Sequence, residues 1–142
     1  GLIPTGEIRS VEGTPMDFRT EHTIGERIDA DYEPLKLAGG YDHNYVLKNE
    51  GTYALCGRLI SDKSGICMEV STDAPGIQLY AANFLENEKG GKGGHTYVRR
   101  SAVCFESQYF PDACHHENFK SPIVKAGEVY RTKTGYQFSI VK

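Results

Sequence analysis

Tryptophan is absent from this chain, and methionine appears only twice. Contact with flat apolar ring faces therefore falls to nine tyrosines and six phenylalanines. There is no excess of basic residues. Sixteen Lys and Arg against 19 Asp and Glu leave a formal charge of −3 and a pI near 6.0, so the electrostatic footprint of a nucleic-acid binder is missing. No apolar run approaches the roughly 20 residues that cross a bilayer as a helix, and no membrane partner is expected. No secretory signal is visible either. The chain opens on Gly1 rather than Met, as a processed or engineered start would, so that absence excludes no compartment. No two of the four cysteines form a Cys-x-x-Cys pair, which removes the usual zinc and redox signatures.

What is present is a chain of 142 residues, 39% hydrophobic and 25% charged, enough for one domain with a real core. Sixteen glycines and six prolines favour a turn-rich, all-β chain. Three of the cysteines, Cys56, Cys67 and Cys104, lie in strand-like runs. With Cys114 they read first as reduced thiols acting as small buried hydrophobes, and disulfides, whose pairing the spacing does not give, are the alternative for an exported protein.

Strand-like segments dominate the chain and no sustained 3.6-residue period appears. Tyr53–Ile60 and Ile66–Thr72 flank SDKSG, a good hairpin loop. In the second segment Ile66, Met68 and Val70 alternate with Cys67, Glu69 and Ser71. DAPG at 73–76 is a turn, and Ile77–Ala81 is a further strand. Tyr97–Gln108 reads as one long strand broken by PDA, and Glu128–Thr132 with Tyr136–Val141 as a closing hairpin. The first 50 residues are looser, with one short helical candidate, Glu21–Ile28. These residues supply little to cover the strands, so part of the core is expected to be missing. The class is a β-sandwich with long loops.

Four stretches carry candidate chemistry. GGKGG at 90–94 lacks the Ser or Thr and the following helix of a phosphate-binding loop, and reads as a mobile connection. Cys114, His115 and His116, with Asp112 near, are potential metal ligands. No second ligand pair accompanies them and adjacent strand residues point apart, so a solvated loop is the better reading. In GGYDHNYVL, 39–47, Asp42 and His43 serve either as local turn-capping groups or as part of a site. In FESQ, alternation sets Cys104, Glu106 and Gln108 on one face. A glutamate there, flanked by apolar residues, is expected to be buried enough to act as a base.

Together, IPTGEI, GTPMDFR, IGERID, GGYDHNYVL, EVSTDAPGIQLYAANFL, FESQYFPDA and SPIVKAGEVYRTKTGYQFS resemble the aldose 1-epimerase (galactose mutarotase) family in order and spacing. The resemblance implies an all-β, galactose mutarotase-like β-sandwich. Residues 1–142 correspond to the C-terminal portion of that family's domain, which is more than twice as long. It implies interconversion of the α and β anomers of free hexoses such as galactose and glucose, without metal or organic cofactor. A base takes the proton of the anomeric hydroxyl, an acid protonates the ring oxygen, and the opened aldehyde rotates before closure. On the family's motifs, Glu106 is the general base, and Asp42 and Gln78 are sugar ligands. Tyr80 shares a strand face with Gln78. The family's acid histidine, a second site histidine and a sugar-binding arginine belong to motifs upstream of IPTGEI that this sequence does not contain. His22, His43, His95, His115 and His116 stand at other positions. The chain alone is therefore expected to be a poor catalyst.

Two other readings stand beside this one. A non-catalytic carbohydrate-binding β-sandwich would use the same ligands, although it lacks the tryptophan favoured for sugar platforms. An epimerase of phosphorylated hexoses would need basic residues near Glu106, and alternation turns Arg99 and Arg100 to opposite faces. The expected partners are a small sugar and either the domain's own N-terminal half or a second copy. The second copy is expected because an uncovered apolar face associates.

Overall fold

A computed structural model describes residues 2–49 and 51–141. Its elements are α1 (Ile24–Arg27), α2 (Glu33–Ala38), β1 (Asp42–Val46), β2 (Ala54–Ile60), β3 (Ile66–Thr72), β4 (Gly76–Tyr80), β5 (Cys104–Gln108) and β6 (Thr134–Ile140). Two further single turns of 3₁₀ helix lie at Lys92–Gly94 and Ala113–His115. One three-stranded sheet has the order β1–β4–β5 and the other β2–β3–β6, which makes the chain mostly β, as expected. The chain divides into two compact units, Gly1–His43 with Leu79–Cys104, and Asn44–Gln78 with Phe105–Lys142.

In the second unit the predicted hairpin is present. β2 and β3 pair antiparallel from Ala54↔Thr72 to Ile60↔Cys67. Ser61 N–H reaches Ile66 C=O at 2.9 Å, and Gly65 takes a positive φ of 70° to close the loop. A bulge between Leu55 and Gly57 gives Cys56 an irregular place, where its thiol donates to Val70 C=O at 3.1 Å. Burial raises the Cys56 thiol pKa. Gly57 lies under the Phe105 ring, and a Cβ added to it would stand only 3.0 Å from Phe105 Cε2, so β5 packs closely on β2 there. The simple alternation along β3 fails: Cys67, Val70 and Thr72 are all buried, because the strand is paired on both sides and packed unevenly.

The closing hairpin is a correction. β6 pairs antiparallel with β3, from Ile66↔Ile140 to Thr72↔Thr134, and Glu128–Thr132 forms no strand. The cause is Asp73, whose Oδ1 accepts from Thr132 Oγ1 at 2.7 Å and Lys133 N–H at 2.9 Å. These bonds hold the Asp73 carboxyl below its ordinary pKa. They deliver residue 134 to the edge of β3 instead of turning the chain back on itself. One end of this sheet is apolar and exposed: Ile66, Phe138 and Ile140 are 47%, 66% and 67% exposed.

In the first unit α2 is a helix the pattern did not reveal. It is six residues long, starts with proline in its first turn, and ends on Gly39 at φ 64°. Gly40 N–H returns to Leu35 C=O at 2.9 Å, a left-handed helix stop. The helical expectation at Glu21–Ile28 contracts to Ile24–Arg27. The long strand Tyr97–Gln108 is also corrected. Tyr97 bridges Glu88, Ser101 N–H turns back to Val98 C=O at 3.0 Å, and Arg100 has a positive φ of 63°. Only Cys104–Gln108 is strand. None of the four cysteines is in a disulfide, and Cys104 and Cys114 are exposed, so the buried-hydrophobe reading holds only for Cys67 and in part for Cys56. No helix among the described residues is long and apolar enough to cross a membrane.

Candidate functional site

Gln78 and Glu106 belong to the second unit. Gln78 is half-buried in the middle of β4, the central strand of its sheet, and Glu106 is in the middle of the adjacent β5. β5 is anchored on either side of Glu106. Phe105 packs on Gly57, its carbonyl accepts from Tyr136 Oη at 3.4 Å, and Ser107 Oγ lies 2.6 Å from Thr134 Oγ1. The glutamate itself is exposed. The burial expected for it is therefore not found, because strand alternation says which face a residue takes and not whether anything covers that face.

Asp42 is the first residue of β1 and is half-buried in the first unit. It follows directly on the Gly39–Gly40 stop of α2. Its N–H donates to His43 Nδ1 at 3.0 Å, which makes Nε2 the protonated ring nitrogen. Burial lowers the His43 pKa and outweighs the Asp42 charge and the nearby Pro34 backbone, both of which favour the protonated ring. His43 is thus a neutral, locally satisfied residue, one of the two roles the sequence left open.

A pH effect follows from that shift. An unfolded histidine takes up a proton near pH 6.5, whereas the folded His43 resists it. Below about pH 6.5 the unfolded state binds more protons, so stability present above that pH is lost on acidification. The urea midpoint should fall between pH 7.5 and 5.5, and His43→Gln should lessen the fall. An equal fall in both proteins would remove His43 as its source.

Tyr80 Oη accepts Phe84 N–H at 3.2 Å, and the two rings stack with centroids 6.1 Å apart. Its hydroxyl thus closes a local turn. Arg99 and Arg100 do not diverge as alternation predicted. Arg99 Nη2 and Arg100 Nη2 both donate to Gly39 C=O, at 2.6 and 3.1 Å. Arg100 also grips the Asp29 carboxylate through two bonds of 2.7 and 2.6 Å. Both guanidinium groups hold backbone or a carboxylate and are poorly disposed as phosphate ligands. In the second unit His115 Nδ1 bonds Asp112 Oδ1, which raises the His115 pKa. No group of three or more His, Cys, Asp or Glu among the described residues is arranged to hold a metal. A cleft of about 360 Å³ in the first unit runs along Gly13–Pro15, Asp17, His22 and Arg27, and Asp42 is not among the residues that line it. The Asp17 carboxyl there is held down to about 2 by its bonds to Arg19.

Sequence reasoning missed Asn83, which is 5% exposed and donates through Nδ2 to Tyr41 C=O at 2.8 Å. An asparagine just after a strand reads as a turn former, and only the chain's return to Tyr41 reveals its bond.

The chain as a whole matches known proteins. Residues 1–137 match the family model described as Aldose 1-epimerase. Over 139 residues the chain is 38% identical to the galactose mutarotase of Bos taurus, covering 98% of this chain and 39% of that protein. It is 32% identical over 141 residues to the aldose 1-epimerase of Escherichia coli (strain K12), covering 97% and 40%. A crystal structure of a GalM/aldose epimerase homologue from C. elegans superposes with a TM-score of 0.81 at 31% identity, over 99% of this chain and 41% of that one. The chain thus spans about two fifths of the length of the relatives it matches.

Proposed function

We propose, from the premise that this chain belongs to the aldose 1-epimerase family, that it carries the base-bearing part of a site that interconverts the anomers of free hexoses. The placement of Glu106 and Gln78 on adjacent strands of one sheet is the observation that carries the reading. Glu106 takes the proton of the anomeric hydroxyl. The Gln78 amide both donates to and accepts from a sugar hydroxyl, and the Asp42 carboxylate accepts from neighbouring hydroxyls. Ring opening also needs a proton at the ring oxygen, and none of the five histidines is assigned that role. Loss of a general acid costs on the order of 10²–10⁴ in rate, so the chain alone is a weak catalyst or a sugar binder. No metal or cofactor is part of the scheme.

Polarimetry of freshly dissolved α-D-galactose tests this reading. Mutarotation faster than buffer supports catalysis, and galactose binding without acceleration supports the carbohydrate-binding alternative. Neither acceleration nor binding overturns both. The exposed Ile66, Phe138 and Ile140 fit a face that is covered by the domain's upstream half or, without it, by a second copy. Sedimentation of the chain alone should show self-association, and a monodisperse monomer would count against it.

A further inference from the structure

We propose that Asn83 is a positioning residue for Asp42, fixing the Gly40–Tyr41 backbone that presents its carboxylate to a sugar. This inference deepens the reading of Asp42 as a sugar ligand and rests on it. Four features of the first unit carry it.

Tyr41, the residue before Asp42, is fully buried. Its hydroxyl donates to Pro15 C=O at 2.9 Å, and its ring meets Phe18 edge-on at 5.2 Å. Its carbonyl accepts two bonds, from Asn83 Nδ2 at 2.8 Å and Ala81 N–H at 3.0 Å. The segment one residue upstream of the carboxylate is thus held at ring, hydroxyl and carbonyl.

Asn83 also sits against Gly40. A Cβ on Gly40 would stand 2.3 Å from Asn83 Oδ1. That oxygen is buried and makes no hydrogen bond. A buried amide with one end unmet is a poor choice for packing alone, and a small apolar residue would fill the space without that defect. The amide is explained by its other end, which holds Tyr41.

The backbone before Asn83 is strained. Ala82 is 2% exposed with φ at 51°, a left-handed conformation uncommon for a residue with a Cβ. Such strain persists where the surroundings over-determine it, and it clusters at functional sites. Here the surroundings are visible. Arg100 N–H donates to Ala82 C=O at 2.9 Å, and Arg99 Nε to Asn83 C=O at 3.2 Å.

The two arginines complete the clamp. Their shared bonds to Gly39 C=O tie the 81–84 and 99–100 segments to the stop of α2. Gly39 through Tyr41 are held from two segments, and Asp42 N–H is taken by His43. The side chain of Asp42 projects from a backbone with little freedom. Such precision matters because an error of about 1 Å in a ligating group can cost on the order of 10² in rate.

The test uses D-galactose as the probe, with affinity read by NMR titration of the whole chain. The variants are Asp42→Asn, Asn83→Ala, the double variant, and Arg99→Ala. Asn83→Ala should weaken galactose about tenfold and shift the Asp42 ¹³Cγ resonance while those of Asp17 and Asp29 stay in place. In the Asp42→Asn background the same change should cost almost nothing further, because the group being positioned has gone. If Asn83→Ala fails to fold, Arg99→Ala at the surface should weaken galactose about threefold, with the same silence in the Asp42→Asn background. If Asp42→Asn loses affinity while Asn83→Ala and Arg99→Ala bind like the native chain, the inference is overturned and the sugar reading stands. Equal losses from Asn83→Ala in both backgrounds would also overturn it, placing its effect elsewhere. If the native chain gives no galactose response, or Asp42→Asn binds as the native chain does, the sugar reading falls and the inference falls with it.

Discussion

Glu106→Gln should reduce any mutarotation the chain catalyses by about 10²–10⁴-fold, with galactose affinity and fold little changed. At about 1.36 kcal/mol per decade that is a loss of roughly 3–5 kcal/mol of transition-state stabilisation. Glutamine keeps the size of the side chain and its ability to hydrogen-bond a hydroxyl, but it cannot take a proton at neutral pH. The substitution should also be mild for the fold. Glu106 is exposed, and its strand is held by its neighbours, Phe105 on Gly57 and Ser107 at Thr134, so stability should change by no more than about 0.5 kcal/mol. That separation makes the measurement informative. Polarimetry on native and variant chains, with circular dichroism to confirm equal folding, gives a rate effect free of a stability effect. Equal rates in the two proteins would remove Glu106 from the chemistry and leave at most a sugar-binding role for the strand pair.

How far the sequence could be read depended on whether its signals were local. The β2–β3 hairpin was legible because SDKSG carries its own turn chemistry and the flanking runs are rich in strand-forming residues. The partner of β6 was not, because it is set by Asp73 capturing Thr132 and Lys133, about 60 residues away. α2 was hidden by its length of six residues and its opening proline, too short for any period to register. The strand expected from Tyr97 was broken by the left-handed Arg100, a conformation no propensity scale assigns to arginine.

The candidate site shows the same division. Asp42, Gln78 and Glu106 were singled out by their resemblance to family motifs, and no periodic pattern would have chosen them. Strand placement was right for Gln78 and Glu106. The covering of Glu106 was wrong because it depends on what lies above the sheet. Cys104 failed for the same reason: it lies in a strand yet is exposed. Asn83 and the paired arginines were invisible because their partners, Tyr41 and Gly39, lie about 40 and 60 residues away.

Gly40→Ala should be among the most destabilising single substitutions in the chain, at about 3–5 kcal/mol, and Gly39→Ala supplies the contrast. Both glycines have positive φ, 140° at Gly40 and 64° at Gly39. At Gly39 the added Cβ meets only Arg99 Nη2, at 3.2 Å, the end of a flexible side chain. The cost there is the left-handed conformation, about 1–2 kcal/mol. At Gly40 the Cβ strikes three atoms of Asn83, at 2.3, 3.0 and 3.2 Å. Asn83 cannot withdraw without breaking its bond to Tyr41, and at 5% exposure it has little space to enter. Backbone strain of about 1–3 kcal/mol then adds to overpacking of about 1–3 kcal/mol, a large share of the roughly 5–15 kcal/mol that holds a typical domain together. Urea midpoints of the two variants measure the difference directly. Gly40→Ala should lie far below Gly39→Ala, and truncating Asn83 in the Gly40→Ala background should recover part of the loss by opening the space. Equal midpoints would mean that Asn83 yields at little cost, and that Gly40 is there for its backbone conformation alone.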